Sequence, residues 1–320
     1  MREIRSRGIF MVRPYLKMID RNKRILEIGP LHSPMVQKNK NSANIFYADI
    51  RSTDEVKKFY ADDEIVNKDK IVDIDYVIKN SYSEDLTNIE PFDYILMSHV
   101  IEHIPELISF FNDISNVLTA NGKLCLTIPD KRYCFDHYRY PTSFAECYDI
   151  YYRGIKNNPF RVLDFFLSSA SNDPVFWWNN PANYEEFPKS RENAALECYE
   201  RSLKGESLDV HFNVFTPESF LRILYHMTKM RLLPFKVAFF ETTYKYDLEF
   251  NVILEKDMRL VEDGSPAELE AENLRNLFEK YSDNQNSDDS DNRDIACLIK
   301  SCRYYLKRII ARLIKKPSKK

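Results

Sequence analysis

Residues that can bind a ligand or move a proton stand at the ends of four short apolar runs in this sequence. Gly29 and Asp49 lie at the ends of the first two runs, and segments 99–103 and 129–132 follow the other two. A glycine lets a ligand approach the backbone, a carboxylate accepts hydrogen bonds, and a histidine exchanges protons near neutral pH. If the four runs end at one edge of a sheet, these residue types predict a binding site that also transfers protons.

The spacing of apolar side chains predicts the elements that align these residues. Five short runs predict buried strands, at 25–28, 45–48, 74–78, 94–97 and 123–128. Helical spacing over 107–118, closed by Asn121-Gly122, separates the last two, and such alternation is typical of a parallel sheet. Two more runs, at 235–243 and 249–255, predict an antiparallel hairpin at the sheet edge. We therefore predict an α/β fold with a mostly parallel seven-stranded sheet whose last strand is antiparallel.

The rest of the chain is predicted to be mainly helical. Segment 133–210 loses the alternation and is rich in aromatic residues, which predicts an inserted helical lid. A helix is expected to start after Thr216 and end near 229, and another is expected to start at the capping box 265–268. The predicted organisation is an N-terminal helical lead-in (1–20), a core domain (21–258), a helix (259–281), an acidic disordered linker (282–294) and a basic amphipathic helix (295–320).

Composition and charge indicate which classes of protein and which partners are not expected. Of 320 residues, 44% are hydrophobic and 30% charged, with a net charge of −3. We expect a cytoplasmic protein, because no apolar run reaches the ~18 residues of a membrane span and the N-terminus lacks the apolar stretch of a signal peptide. The cysteines form no Cys-x-x-Cys pair, and no His, Asp and Glu set has metal-ligand spacing, so no metal site is predicted. A nucleic-acid partner is not expected, because the basic excess is confined to the tail.

The motifs at the predicted strand ends resemble those of a known enzyme family, the class I S-adenosylmethionine-dependent methyltransferases. They are Glu27-Ile28-Gly29-Pro30, Asp49, Ser98-His99-Val100-Ile101-Glu102-His103-Ile104-Pro105 and Ile128-Pro129-Asp130-Lys131-Arg132-Tyr133-Cys134-Phe135-Asp136. The resemblance covers about 21–136, and the hairpin over 235–255 resembles the final two strands of that fold. The two long motifs resemble a bacterial subset linked to surface-polysaccharide gene clusters. The resemblance implies a Rossmann-like fold and S-adenosylmethionine as the cofactor.

This resemblance implies roles for individual residues. Gly29 lets the methionine moiety approach the backbone, Asp49 accepts hydrogen bonds from the ribose hydroxyls, and Glu27 orders the intervening loop. Further cofactor contacts are expected from Pro30, Ile50, Asp75, Ser98 and His99. The candidates for removing a proton from the acceptor are His99, His103, Asp130, Asp136 and His211. Candidates for binding the acceptor are Lys131, Arg132, Tyr133, Asp136, Trp177 and Trp178.

The resemblance implies a sugar hydroxyl as the methyl acceptor, in a nucleotide-sugar or a lipid-linked glycan of the O-antigen or capsule type. A quinone-like or other small metabolite would also suit the aromatic insertion. The first loop lacks the second and third glycines common in the family, which keeps open a catalytically silent binding protein and disfavours a dinucleotide dehydrogenase.

The basic segment 295–320 predicts a helix on an anionic membrane surface at the inner face of the membrane. Packing of that helix on another subunit is the alternative. The sequence leaves the oligomeric state and the use of a divalent metal open.

Overall fold

A computed structural model gives the fold of residues 13–39, 42–63, 66–181, 191–262 and 266–283. Within these ranges the strands are β1 (Ile25–Ile28), β2 (Ile45–Asp49), β3 (Tyr76–Val77), β4 (Phe92–Ser98), β5 (Leu118–Pro129), β6 (Phe235–Glu241) and β7 (Glu249–Lys256). The α-helices are α1 (Thr53–Phe59), α2 (Tyr82–Asp85), α3 (Leu107–Asn116), α4 (Phe144–Arg153), α5 (Pro159–Ser168), α6 (Pro174–Asn179), α7 (Glu192–Leu203), α8 (Pro217–Lys229) and α9 (Ala267–Asp283). Short 3-10 helices cover Pro14–Met18, Lys68–Lys70, Ile101–His103, Lys131–Tyr133 and Met258–Val261.

The strands form one seven-stranded sheet in the order β3-β2-β1-β4-β5-β7-β6. Strands β1 to β5 are parallel to one another, whereas β7 runs antiparallel between β5 and β6. The predicted mostly parallel sheet with an antiparallel last strand and an edge hairpin is therefore confirmed. The strand order reverses between β1 and β4, and ligands bind at such a switch point, outside the carboxyl ends of the strands.

Capping residues and apolar faces explain why these helices form and pack where they do. Thr216 caps α8 and Pro217 takes its first position, so the helix begins and ends as predicted. Its face, including Phe220 and Leu224, is fully buried against the sheet together with Phe111 of α3. Burying one such side chain stabilises the fold by roughly 1.5 to 3 kcal/mol, so this layer holds the strand ends in place.

The boundaries of two elements differ from the predictions. The third strand is only two residues long, and β5 begins at Leu118, so Asn121-Gly122 lies inside a strand instead of closing a helix. The cause is an irregular register, since β4 pairs with β5 at Phe92–Leu118 and then shifts before Tyr94–Lys123. A Cβ on Gly122 would lie 2.9 Å from the Leu118 side chain, so only glycine fits where the backbone passes this close to Leu118.

The predicted insertion is helical, as helices α4 to α7 all lie within 133–210. Helix α9 begins at Ala267 and extends to Asp283, two residues into the predicted linker. The remainder of that linker, the basic segment 295–320 and the first 12 residues of the lead-in lie outside the described residues. Among the helices described here, none is long and apolar enough to span a bilayer.

Candidate active site

Five strand ends meet at one edge of the sheet. The carboxyl ends of β1, β2, β4 and β5 bring Gly29, Asp49, His99 and Asp130 to this edge, as predicted. Because β7 is antiparallel, its amino end joins them, and Glu249 pairs with Pro129 across the ladder. Sequence reasoning missed Glu249 as a residue of this edge, because it assigned the run over 249–255 only to the hairpin.

The first loop passes close to the segment that follows β4. Gly29 has a φ of 67°, a left-handed conformation that favours glycine. A Cβ at this position would lie 3.0 Å from Val100 Cγ2, and the Gly29 amide donates to the carbonyl of Ala48 at 2.9 Å. Pro30, the next residue, is buried. The loop thus offers a bare backbone at the switch point.

Glu27 organises the same loop from beneath. Its carboxylate accepts the backbone amides of Met35 at 2.7 Å and Val36 at 3.0 Å. Burial raises the pKa of Glu27 to about 7, although these hydrogen bonds oppose the increase. The side chain therefore orders the loop through backbone hydrogen bonds, as the resemblance implies.

The end of β2 presents one polar and one apolar group. Asp49 is half-buried and accepts the Arg51 amide at 3.0 Å, whereas the side chain of Ile50 is 54% exposed. Asp75 lies immediately before β3, where its carboxylate accepts the amide of Tyr47 at 2.6 Å and pairs with Lys38. The predicted strand over 74–78 included Asp75, whereas the residue lies before β3, where its contacts with Tyr47 and Lys38 tie the edge strand to β2.

His99 follows Ser98 at the end of β4 and is held by a buried ion pair. Its φ of 54° is unusual for a residue other than glycine, and its Nε2 lies 2.8 Å from Glu249 Oε2. Arg13 donates to both oxygens of Glu249, at 2.8 and 3.0 Å. Burial raises the pKa of Glu249, but the charge of Arg13 and the contacts of His99 lower it to about 2. Glu249 is therefore ionised and orients His99.

A second carboxylate lies on the other side of His99. Glu102 is fully buried, and its Oε1 lies 3.6 Å from His99 Nδ1, 3.6 Å from His211 Nε2 and 4.0 Å from His103 Nε2. Donor atoms of Glu102, His103 and His211 all lie within 4.8 Å of one another, a spacing that can hold a metal ion. No metal site was predicted, because that prediction considered only ligands at short spacing along the sequence. His211 is distant from Glu102 and His103 in the sequence and comes close to them only in the folded chain.

The segment after the insertion carries His211 to the cluster. The amide of Asn213 donates to the carbonyl of Glu102 at 2.9 Å, and its side chain donates to the carbonyl of Ile104. His211 Nδ1 lies 2.6 Å from Asp136 Oδ2. Burial raises the pKa of Asp136, but His211 and Arg139 outweigh it and lower the pKa to about 2. An ionised Asp136 accepts the Nδ1 proton, which leaves Nε2 of His211 facing Glu102.

The charged residues after β5 are already paired. Asp130 is fully buried, and its carboxylate accepts Arg132 Nε at 3.0 Å and the hydroxyl of Thr243 at 2.7 Å. Lys131 Nζ donates to the carbonyl of His137 at 2.7 Å. These contacts assign Asp130 to holding the loop, and they engage both cations predicted to bind the acceptor.

The two tryptophans of the insertion occupy different environments. Trp177 is fully buried and stacks on His137 with ring centroids 3.9 Å apart. Trp178 is half-buried, stacks on Tyr133 at 3.9 Å and donates its indole N–H to the carbonyl of Asp247 at 2.8 Å. Trp177 is therefore a core residue, whereas Trp178 and Tyr133 lie beside the start of β7.

Comparison with known proteins identifies the class to which this fold and site belong. Residues 1–185 match the methyltransferase domain family, more than half of the 320-residue chain. The chain therefore belongs to that family, and the predicted methyltransferase with S-adenosylmethionine as its cofactor is confirmed at the level of the family.

Solved structures of low sequence identity are also similar to the chain. A SAM-dependent methyltransferase from Methanosarcina mazei shares 14% identity at a TM-score of 0.36, covering 77% of this chain and 98% of its own. One from Mesorhizobium loti shares 12% at 0.37, covering 76% and 96%. The plantazolicin methyltransferase, solved with SAH, shares 11% at 0.36, covering 73% and 76%. No curated protein sequence matches the chain.

Proposed function

We propose that the protein transfers a methyl group from S-adenosylmethionine to a hydroxyl of a sugar, in a nucleotide-sugar or a lipid-linked surface glycan. The observation that carries this proposal is His99, held by ionised Glu249 at 2.8 Å, at the sheet edge that also presents Gly29 and Asp49. A hydroxyl acceptor must lose a proton when it is methylated, and an oriented histidine beside the cofactor loop can take it.

The residues at the switch point fit the cofactor. Gly29 allows the loop to take a left-handed turn and to pass close to Val100, which leaves its backbone at the switch point where a cofactor would bind. Asp49 ends the neighbouring strand and can accept both ribose hydroxyls, while exposed Ile50 offers an apolar surface to the adenine. The bound cofactor supplies a methyl group on a positively charged sulfur, and these residues fix its position relative to His99.

His99 acts as the proton acceptor in this proposal. Because ionised Glu249 accepts a hydrogen bond from Nε2, the proton of neutral His99 resides on Nε2 and the lone pair on Nδ1. Nδ1 faces away from Glu249, toward the cluster around Glu102, from which it is 3.6 Å. Holding the acceptor oxygen in line with the methyl group supplies most of the remaining rate enhancement.

The aromatic pair beside the site supports a ring-shaped acceptor. Trp178 stacks on Tyr133 and bonds to the carbonyl of Asp247, whose own carboxylate accepts the amide of Glu249 at 3.2 Å. Aromatic faces next to carboxylates are well suited to sugars, which present apolar ring faces and hydroxyl edges. A quinone-like phenol would use the same aromatic surface, so both acceptor classes belong in the screen.

Calorimetry and a transfer assay test the proposal. We expect micromolar binding of S-adenosylmethionine and S-adenosylhomocysteine by the wild type, lost in Asp49→Ala and retained in the control Asp54→Ala, whose side chain is exposed on α1. Failure of the folded wild type to bind would favour the silent-protein alternative.

The assay uses radiolabelled cofactor with nucleotide-sugars, polyprenyl-linked glycans and quinone precursors. We expect His99→Asn, which tolerates a positive φ, to slow transfer by about 10²-fold or more while binding the cofactor normally. Unchanged transfer by this variant would show that His99 is not the base. If the wild type labels only the quinone precursors, the acceptor is a quinone-like phenol and not a sugar.

We also propose that segment 295–320, which lies outside the described residues, binds an anionic membrane surface. The basis is its sequence, in which cations flank an apolar stripe at helical spacing. Flotation with liposomes containing anionic lipid, with and without residues 282–320, tests this, and equal flotation would contradict it.

A further inference from the structure

We propose that Glu102, His103 and His211 bind a divalent transition-metal ion at the end of β4. These residues provide one carboxylate and two imidazoles, and their donor atoms lie within 4.8 Å of one another. The binding of the ion rests only on this geometry, whereas a role for it in methyl transfer rests on the proposed function.

The environment of Glu102 is the first reason. Its side chain is fully buried, and within the described part of the chain neither carboxylate oxygen has a hydrogen-bond partner. Other buried carboxylates near this edge, such as Glu27 and Asp130, accept at least two hydrogen bonds each. A buried carboxylate without a donor is costly, and a cation held between it and neighbouring nitrogens removes that cost.

The distances are the second reason. Glu102 Oε1 lies 3.6 Å from His211 Nε2 and 4.0 Å from His103 Nε2, which is beyond hydrogen-bonding range. Two ligands of a tetrahedral ion with bonds of 2.0 to 2.1 Å are about 3.3 Å apart. These two pairs would therefore have to close by about 0.3 and 0.7 Å, and no pair in the cluster by more than about 1.5 Å, to bring the three groups around one ion.

The outer nitrogens of both histidines supply the third reason. His211 Nδ1 lies 2.6 Å from Asp136 Oδ2, and His103 Nδ1 lies 3.0 Å from Asp209 Oδ1. Histidines that bind metals commonly donate their other ring N–H to a carboxylate, which fixes the tautomer and directs the free lone pair at the ion. His211 makes this hydrogen bond, His103 has a carboxylate at ion-pair distance from the same nitrogen, and in both rings Nε2 lies on the side of Glu102.

The donor set selects the kind of ion. Two imidazoles with one carboxylate suit Zn²⁺, Co²⁺, Mn²⁺ or Fe²⁺ better than Mg²⁺ or Ca²⁺, which prefer oxygen ligands. Three protein ligands leave coordination positions open, and the side chain of His103 is 18% exposed, which gives an ion a route to the site. An acceptor hydroxyl bound at an open position would be acidified next to His99.

Metal titration of the full-length, chelator-treated protein tests the proposal without acceptor or cofactor. We expect one Co²⁺ to bind per chain and to show the visible d–d absorption of cobalt in a low-symmetry site. Added Zn²⁺ should displace the Co²⁺ and abolish this absorption. We also expect Zn²⁺ to raise the melting temperature by a few °C at saturation. Absence of saturable binding of either ion would overturn the proposal, whatever the methyl-transfer assay shows.

The decisive variant is Glu102→Gln, because it keeps the shape of the side chain and breaks no hydrogen bond of the described residues. We expect it to weaken metal binding at least 10-fold and to melt no lower than the metal-free wild type, since neither carboxylate oxygen of Glu102 has a hydrogen bond to lose among the described residues. His226→Gln is the control, because this exposed histidine lies on α8 outside the cluster. Equal binding by Glu102→Gln and the wild type would show that the ion binds elsewhere and would refute the site.

Discussion

Replacing Gly29 by alanine tests the reasoning about the cofactor loop in quantitative terms. The residue has a φ of 67°, which costs a side chain with a Cβ about 1 to 2 kcal/mol. The new Cβ would also lie 3.0 Å from Val100 Cγ2, so that the valine must move by a few tenths of an ångström. We therefore expect Gly29→Ala to lower the free energy of unfolding by about 2 kcal/mol in a urea titration.

The larger expected effect is on the cofactor. The new Cβ would press on Val100 and displace the loop to which the ligand binds, so the affinity for S-adenosylhomocysteine should fall at least 10-fold, or about 1.4 kcal/mol. Gly154 provides a matched control, because it has a φ of 62° at the end of α4 and no atom lies within 4 Å of the position that a Cβ would take there. Gly154→Ala should lose similar stability through its φ and bind the ligand normally in calorimetry. Wild-type affinity in Gly29→Ala would refute the close approach.

Two further predictions concern stability and the acceptor. Burial raises the pKa of Glu27 from 4.5 to about 7, so its stabilising contribution is complete below pH 4.5 and is lost as the pH rises through 7. This difference corresponds to about 3 kcal/mol, and Glu27→Gln should lack this part of the pH dependence in urea titrations at pH 5 and 8, whereas parallel profiles would contradict it. Trp177→Ala should destabilise the protein by about 3 to 5 kcal/mol, because the ring is fully buried. Trp178→Ala should cost less stability but slow acceptor methylation without changing cofactor affinity, and unchanged turnover would exclude it from the acceptor site.

The sheet was predictable because its signal is local. A buried parallel strand appears as a short apolar run such as 25–28, and the hairpin appears as two runs separated by a polar turn. The capping motif at Thr216 located the start of α8 for the same reason. The error at Gly122 arose where a local signal is ambiguous, since a glycine after an apolar helix can close the helix or permit a tight passage in a strand.

The candidate site was predictable only where its residues follow strands. Gly29, Asp49 and His99 stand at strand ends, and the strand ends could be located from the sequence. Arg13 and Glu249 complete the site through an ion pair that joins distant parts of the chain, and no spacing rule connects them. A charged residue at the start of the apolar run over 249–255 was the available signal, because a carboxylate there must be paired or lie at the edge.

The two carboxylates flanking His99 show why one edge of the sheet supports both positioning and binding. Glu249 is satisfied by Arg13, so its charge is stable when buried and can fix the tautomer of His99. Glu102 is equally buried, but the nearest cationic candidates are histidine nitrogens at 3.6 Å, too far to donate. A folded protein retains such an unbalanced charge where a ligand completes it, since the same position would otherwise be more stable with an apolar residue. Because His99 lies between them, we expect an ion bound at Glu102 to affect His99, the proposed proton acceptor that Glu249 holds in place.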